Sequence, residues 1–157
     1  MLISMLQTTK AKPNPSGKDR SRFFTPQQQL AGEWIDIQNT GSLPISLNNL
    51  EVYHLAYKMT GTEWEKVIVL SGMLPAGKIV RIHSGREIPL LQLLEIDRIG
   101  AEYHIFTGKN YVWNNDQVDK PSIFNSQLKK WEDQTWYDKY PPEGIVLKRD
   151  NGKLVPL

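Results

Sequence analysis

Cysteine is absent from the sequence, which excludes a disulfide framework, a thiolate zinc site and a cysteine nucleophile. The absence fits a reducing compartment, and a cytoplasmic location is expected. Histidine is scarce. His54, His83 and His104 show neither an i, i+4 pair nor a His-x-His spacing, so no metal site is expected. No apolar stretch approaches the roughly 20 residues that a membrane span needs. The apolar start, Met1 to Leu6, has no basic flank before it and no small-residue cleavage site after it, and does not read as a signal peptide. A Gly-x-Ser-x-Gly elbow and a glycine-rich phosphate loop are both missing. Ser84 adjoins His83, but neighbours along a strand point to opposite faces and make no nucleophile–base pair. The carboxylates Glu63 and Glu65, and Glu132 and Asp133, lie in polar stretches and read as solvated charges rather than a glycosidase pair. The expectation is a protein that is not an enzyme and carries no cofactor.

Charge of one sign is lacking over most of the chain. Met1 to Leu30 holds Lys10, Lys12, Lys18, Arg20 and Arg22 against Asp19 alone, which gives +4. The remaining 14 basic and 16 acidic residues give −2. A nucleic-acid reader shows a basic face on the fold itself, whereas here the basicity sits in one segment with Pro13, Pro15, Gly17 and Pro26. That segment reads as a long solvated loop. With Phe23 and Phe24 beside Arg20 and Arg22, stacking on single-stranded bases is the alternative.

Short segments rich in β-branched and aromatic residues make up the rest. In Glu33 to Asn39, Ile35 and Ile37 share one face while Trp34, Asp36 and Gln38 share the other, the period of a half-buried strand. Leu50 to Tyr57, Val67 to Leu70, Lys78 to His83, Tyr111 to Trp113, Ile145 to Leu147 and Leu154–Val155 are also strand-like. Turns are marked at Thr60-Gly61, at Leu74 to Gly77 and at Asn114 to Asp116, and Asp150-Asn151-Gly152 is a hairpin signal. Helical spacing occurs twice, in Pro89 to Ile96 and in Ser122 to Trp131. Many short strands without βα alternation predict an all-β sandwich or barrel. One domain is expected over residues 1–157, long enough to bury roughly 70% of the surface that its unfolded chain exposes.

Several segments resemble lamin-tail domains of the bacterial type. They are Asn14-Pro-Ser-Gly-Lys-Asp19, Gly32-Glu-Trp-Ile-Asp-Ile-Gln-Asn-Thr-Gly41 with Pro44 to Leu47 and Leu50 after it, Leu74-Pro-Ala-Gly77, Arg81-Ile-His-Ser-Gly85 and Tyr111-Val-Trp-Asn-Asn-Asp116. They follow the family's order over most of the chain. The resemblance departs after Asp116, where Val118 replaces a glycine and Pro121 falls where a strand is expected. It implies an immunoglobulin-like β-sandwich with a C-terminal extension: a first strand in 1–9, a long basic loop in 10–31, a sandwich core in 32–115, and final strands and extension in 116–157. It further implies a non-catalytic binding or scaffolding module that attaches to a protein or an envelope component. The alternative is an accessory nucleic-acid-binding domain that uses the basic arm of residues 10–22.

Candidate site residues follow from these readings. Trp131, Trp136, Tyr137 and Tyr140 concentrate in the extension, and such aromatics dominate interface hot spots, so they are the expected contacts with a protein partner. Lys18, Arg20 and Arg22 are the expected phosphate contacts. Asp19 or Glu33 is expected to pair with a nearby arginine, for example Arg81, and so hold the loop to the sandwich, and Arg81 and His83 are expected to face solvent together.

Overall fold

A computed structural model of the chain describes residues 5–15, 25–89 and 91–156. Two sheets pack face to face. The larger contains β1 (Leu6–Lys12), β2 (Trp34–Asn39), β7 (Ile79–His83), β8 (Tyr103–Phe106), β11 (Leu147–Asp150) and β12 (Lys153–Pro156), in the order β12-β11-β1-β2-β7-β8. The smaller contains β4 (Leu50–Lys58), β5 (Gly61–Val69), β9 (Ser122–Asn125) and β10 (Lys130–Gln134), in the order β10-β9-β4-β5. A two-stranded ribbon, β3 (Ile45–Ser46) with β6 (Met73–Leu74), closes one end. The protein is an all-β sandwich, as the strand periodicity predicted.

Alternation builds its core. Ile35 and Ile37 pair in register with Ile82 and Val80, and all four are buried against Val52, Val67 and Ile123 of the facing sheet. Val112 is partly buried at the edge of this cluster. Asn39 ends β2 through its side chain. Its Oδ1 accepts from Gly41 N at 3.0 Å, and its Nδ2 donates to the carbonyls of Leu43 and Leu74. The Asn151-Gly152 turn between β11 and β12 has positive φ at both residues, 51° and 80°, which suits a tight two-residue hairpin. That hairpin enlarges the main sheet beside β1, so the C-terminal extension is part of the sandwich.

Several expected boundaries shift. Among the described residues the first strand covers Leu6–Lys12 and so runs past residue 9, which places Lys10 and Lys12 in it and not in a loop. The basic segment also contains a helix, α1 (Pro26–Ala31), started by a Thr25/Gln28 capping box with proline in the first turn. Ser122 to Trp131 is not helical. It forms most of the β9–β10 hairpin, where Phe124 and Trp131 face each other across strands. Among the described residues of Pro89 to Ile96, helix begins at α2 (Glu95–Arg98). Tyr111 to Trp113 is not a strand, because the amides of Val112 and Trp113 bond to the Glu33 carboxylate instead of a neighbouring chain.

The sandwich is not purely antiparallel. β8 runs parallel to β7, and a parallel pair needs a long crossover. The crossover, which carries α2, lies over the outer face of the main sheet. Trp34, Asp36, Arg81 and His83, on the polar side of their strands, are therefore buried.

Candidate functional site

Three groups of buried ionisable side chains are the first places to seek chemistry. Asp119 is fully buried and gathers four donors. Leu55 N and Lys120 N reach Oδ1 at 2.8 Å each, while Asn114 N and His54 Nδ1 reach Oδ2 at 2.9 and 3.0 Å. His54 Nε2 bonds Glu65 at 3.0 Å. Burial disfavours the imidazolium, yet the hydrogen bonds and charges of Asp119 and Glu65 outweigh it and raise the His54 pKa. Glu65 is thus tied to a histidine rather than freely solvated. Asp133, too, has a partner, in Arg149 at 2.7 and 3.0 Å.

Glu33 accepts from Ser84 Oγ, from Val112 N at 2.7 Å and from Trp113 N at 3.3 Å. Burial pushes its pKa to about 8 against the pull of these three bonds. Glu33 therefore anchors the segment after β8 and does not pair with Arg81. Arg81 pairs instead with Asp36, its Nε and Nη2 donating to the two carboxylate oxygens at 2.7 and 2.9 Å. Its Nη1 holds the crossover through the carbonyls of Asp97 and Ile99, and its guanidinium lies 3.7 Å from the centre of the Trp34 ring. Lys12 and the Trp34 indole both donate to Asp97 Oδ1, at 2.5 and 2.9 Å. These side chains fix the crossover to the sheet, which is why Arg81 and His83 do not face water.

The histidines form one further pair. His83 Nδ1 lies 2.6 Å from the Ala31 carbonyl, which only accepts, so that nitrogen carries the proton. Neutral His83 then accepts at Nε2 from His104 Nδ1, 2.8 Å away. Burial lowers the His83 pKa to about 4. Among the described residues no three His, Cys, Asp or Glu side chains converge as a metal site.

The outer face of the smaller sheet is different in kind. Tyr53, Leu55 and Tyr57 alternate along the solvent side of β4, and Trp64 and Lys66 stand opposite Leu55 and Tyr53 on β5. Phe124 and Trp131 continue this face onto β9 and β10. The Trp64 and Trp131 ring centres are 4.7 Å apart, and Tyr53 and Phe124 pack edge-on to Trp131 at 5.7 and 5.0 Å. Trp64 and Tyr57 remain 38% and 41% exposed. Ion pairs Lys66–Glu51, Lys58–Glu63 and Lys130–Glu132 surround the cluster.

Of the expected partner contacts, only Trp131 belongs to this face. Tyr137 is fully buried and donates its hydroxyl to the Asn114 carbonyl at 2.7 Å, so it is a core residue and not a contact. Trp136 bridges to Lys153 of β12, whose ammonium lies 4.4 Å from its ring centre. Tyr140 is 71% exposed, with positive φ. The four aromatics do not make one patch. Lys18, Arg20 and Arg22, with Asp19, lie outside the described residues. Tyr53, Trp64 and Phe124 were missed, although Tyr53 and Tyr57 stand four apart, a spacing that puts them on one side of a strand. No protein-family model matches the chain, and neither does any curated protein.

Proposed function

We propose that this chain is a non-catalytic, protein-binding sandwich module of the lamin-tail type, and that it docks its partner on the outer face of the β10-β9-β4-β5 sheet. The observation that carries the reading is the cluster of Tyr53, Trp64, Phe124 and Trp131, half-exposed on a sheet face and ringed by ion pairs of both signs. An aromatic centre within a polar rim is the anatomy of a protein interface. The rim pairs Lys58 with Glu63, Lys66 with Glu51 and Lys130 with Glu132, so it mixes the two signs and offers a polyanion no face of one charge. The buried titratable groups are engaged in holding the fold, some with one another and some with backbone or hydroxyl groups, which favours a binding role over catalysis. Segments that resemble the family also fall at structural joints, at β2 and its Asn39 turn, at the Leu74–Gly77 turn, and at the Asn114 segment that Asp119 holds.

The nucleic-acid reading has less support. Lys12 is buried on Asp97, so it is not available to a phosphate. The test is quantitative affinity capture with the wild-type chain, with Trp64→Ala/Trp131→Ala, and with Trp136→Ala/Tyr140→Ala as control, each shown to be folded. A protein lost only with the first pair supports the docking face. An unchanged set of captured proteins contradicts it.

A further inference from the structure

Beyond that face, the main sheet carries a second feature that the fold does not explain. Lys10 on β1 stands directly opposite Lys148 on β11. Like charges in that relation are destabilising. On its other side Lys10 is opposite Asp36, but both oxygens of that carboxylate are taken by Arg81. Among the described residues no carboxylate lies within ion-pair distance of either ammonium. The two lysines line a groove of about 720 Å³ between α2 and β11, within the range of small-molecule sites. Its lining is part charged, through Lys10, Arg81, Glu95 and Lys148, and part apolar. Ile96, Ile99 and Ile145 line it and remain 45%, 55% and 41% exposed, and the Trp34 ring borders it.

We propose that this groove binds a small amphipathic monoanion, with its carboxylate on Lys10 and Lys148 and its apolar body between Ile96, Ile99 and Ile145. The charge count favours a single negative charge. Lys10, Lys148 and Arg81 face Asp36 beneath and Glu95 at the wall, which leaves one positive charge unmatched. The Arg81 guanidinium has its donors committed to Asp36 and to backbone carbonyls, so the lysines supply the free donors. Two adjacent ammoniums act as point charges with rotatable N–H groups, which suits a carboxylate held at the end of a flexible chain. A bare inorganic anion leaves the isoleucines wet, and a neutral lipid leaves the lysines opposed.

The probes are decanoate and decanol, which share a chain length and differ in charge, titrated into the isotope-labelled full chain below the micelle threshold. Backbone amide shifts are expected at Lys10, Ile96, Ile99, Ile145 and Lys148. Decanoate is expected to bind about tenfold more tightly than decanol, the scale of a charge-assisted hydrogen bond. In Lys10→Gln/Lys148→Gln that preference is expected to fall below about threefold, since both charges that set it are gone. The exposed Lys148→Gln alone, which leaves Lys10 and Asp36 in place, is expected to lose part of it. Equal binding of the two probes by the wild type overturns the proposal, as do shifts confined to the Tyr53–Trp64–Trp131 face, no shift at millimolar probe, or an unchanged preference in both variants.

Discussion

Asp119→Asn removes one oxygen and puts an amide in its place without changing the side chain's size. In the wild type Leu55 N and Lys120 N share Oδ1, and Asn114 N and His54 Nδ1 share Oδ2. Whichever way the new amide is turned, its single oxygen satisfies one of these pairs and its NH2 confronts the other. Turned away from Leu55 N and Lys120 N, the amide strands both. Turned away from Asn114 N and His54, it strands Asn114 N, because neutral His54, with its proton on Nε2 toward Glu65, accepts at Nδ1. The loss is about 1–3 kcal/mol per stranded donor, or about 1–6 kcal/mol in all. The lower half of that range is expected, because the three amides are only partly buried. Even so, the loss is a large part of the 5–15 kcal/mol typical of a domain. Urea unfolding followed by tryptophan fluorescence is the assay, with Trp113 packed 5.6 Å from His54 as a reporter. The same variant changes the pH profile. His54 has a raised pKa in the fold, so its contribution is complete below the unfolded value near 6.5 and is lost as pH rises through the folded value. That downward slope should shrink in Asp119→Asn. A loss under about 1 kcal/mol with an unchanged m-value would refute the view of Asp119 as the junction of β4 and the Asn114 segment.

Other perturbations test neighbouring elements. Arg81→Met leaves the buried Asp36 without its cation, and about 3–5 kcal/mol of stability should be lost in the same urea assay. Glu33, held at about 8 in the fold against 4.5 for a free carboxyl, keeps its proton where the unfolded chain has released it. Its contribution therefore falls as pH rises from 4.5 to 8, and Glu33→Gln should flatten that limb when unfolding free energy is measured across it. His83, lowered to about 4, acts in the opposite sense. The unfolded chain takes up a proton between 6.5 and 4 while the fold does not, so stability falls on acidification by up to about 3 kcal/mol. His83→Gln should remove most of that acid limb in pH-dependent thermal unfolding.

The architecture was legible where alternation was strict. Ile35, Ile37, Val80 and Ile82 announced two paired central strands, and Asn151-Gly152 announced the last hairpin. What was not legible lies on the polar side of those strands. Alternation says that Trp34, Asp36, Arg81 and His83 share a face, but not that a crossover will cover it, since the cover depends on a parallel β8 more than twenty residues away. Lys12 was read with the basic segment for the same reason, because its partner Asp97 lies on that crossover. The short helix α1 did carry a local signal, in Thr25-Pro26 followed by Gln28, the pattern of a capping box. Phe124 and Trp131 sit seven apart, a spacing that a helix and a bulged hairpin both accommodate, and cross-strand packing decides between them. The docking face was half visible. Trp131 was singled out for its aromatic neighbours in sequence, whereas its neighbours in space are Tyr53, Trp64 and Phe124.

The most direct test of that face is the dissociation constant between the purified chain and a protein recovered by differential capture. It is measured by calorimetry for the wild type, Trp64→Ala/Trp131→Ala and Trp136→Ala/Tyr140→Ala. Two central aromatics at an interface are worth at least about 2 kcal/mol together, or roughly thirtyfold in affinity. A thirtyfold or greater loss confined to the first variant, with its unfolding midpoint retained, is the predicted result. Affinity within about threefold of wild type for that variant would contradict docking on the Trp64–Trp131 face.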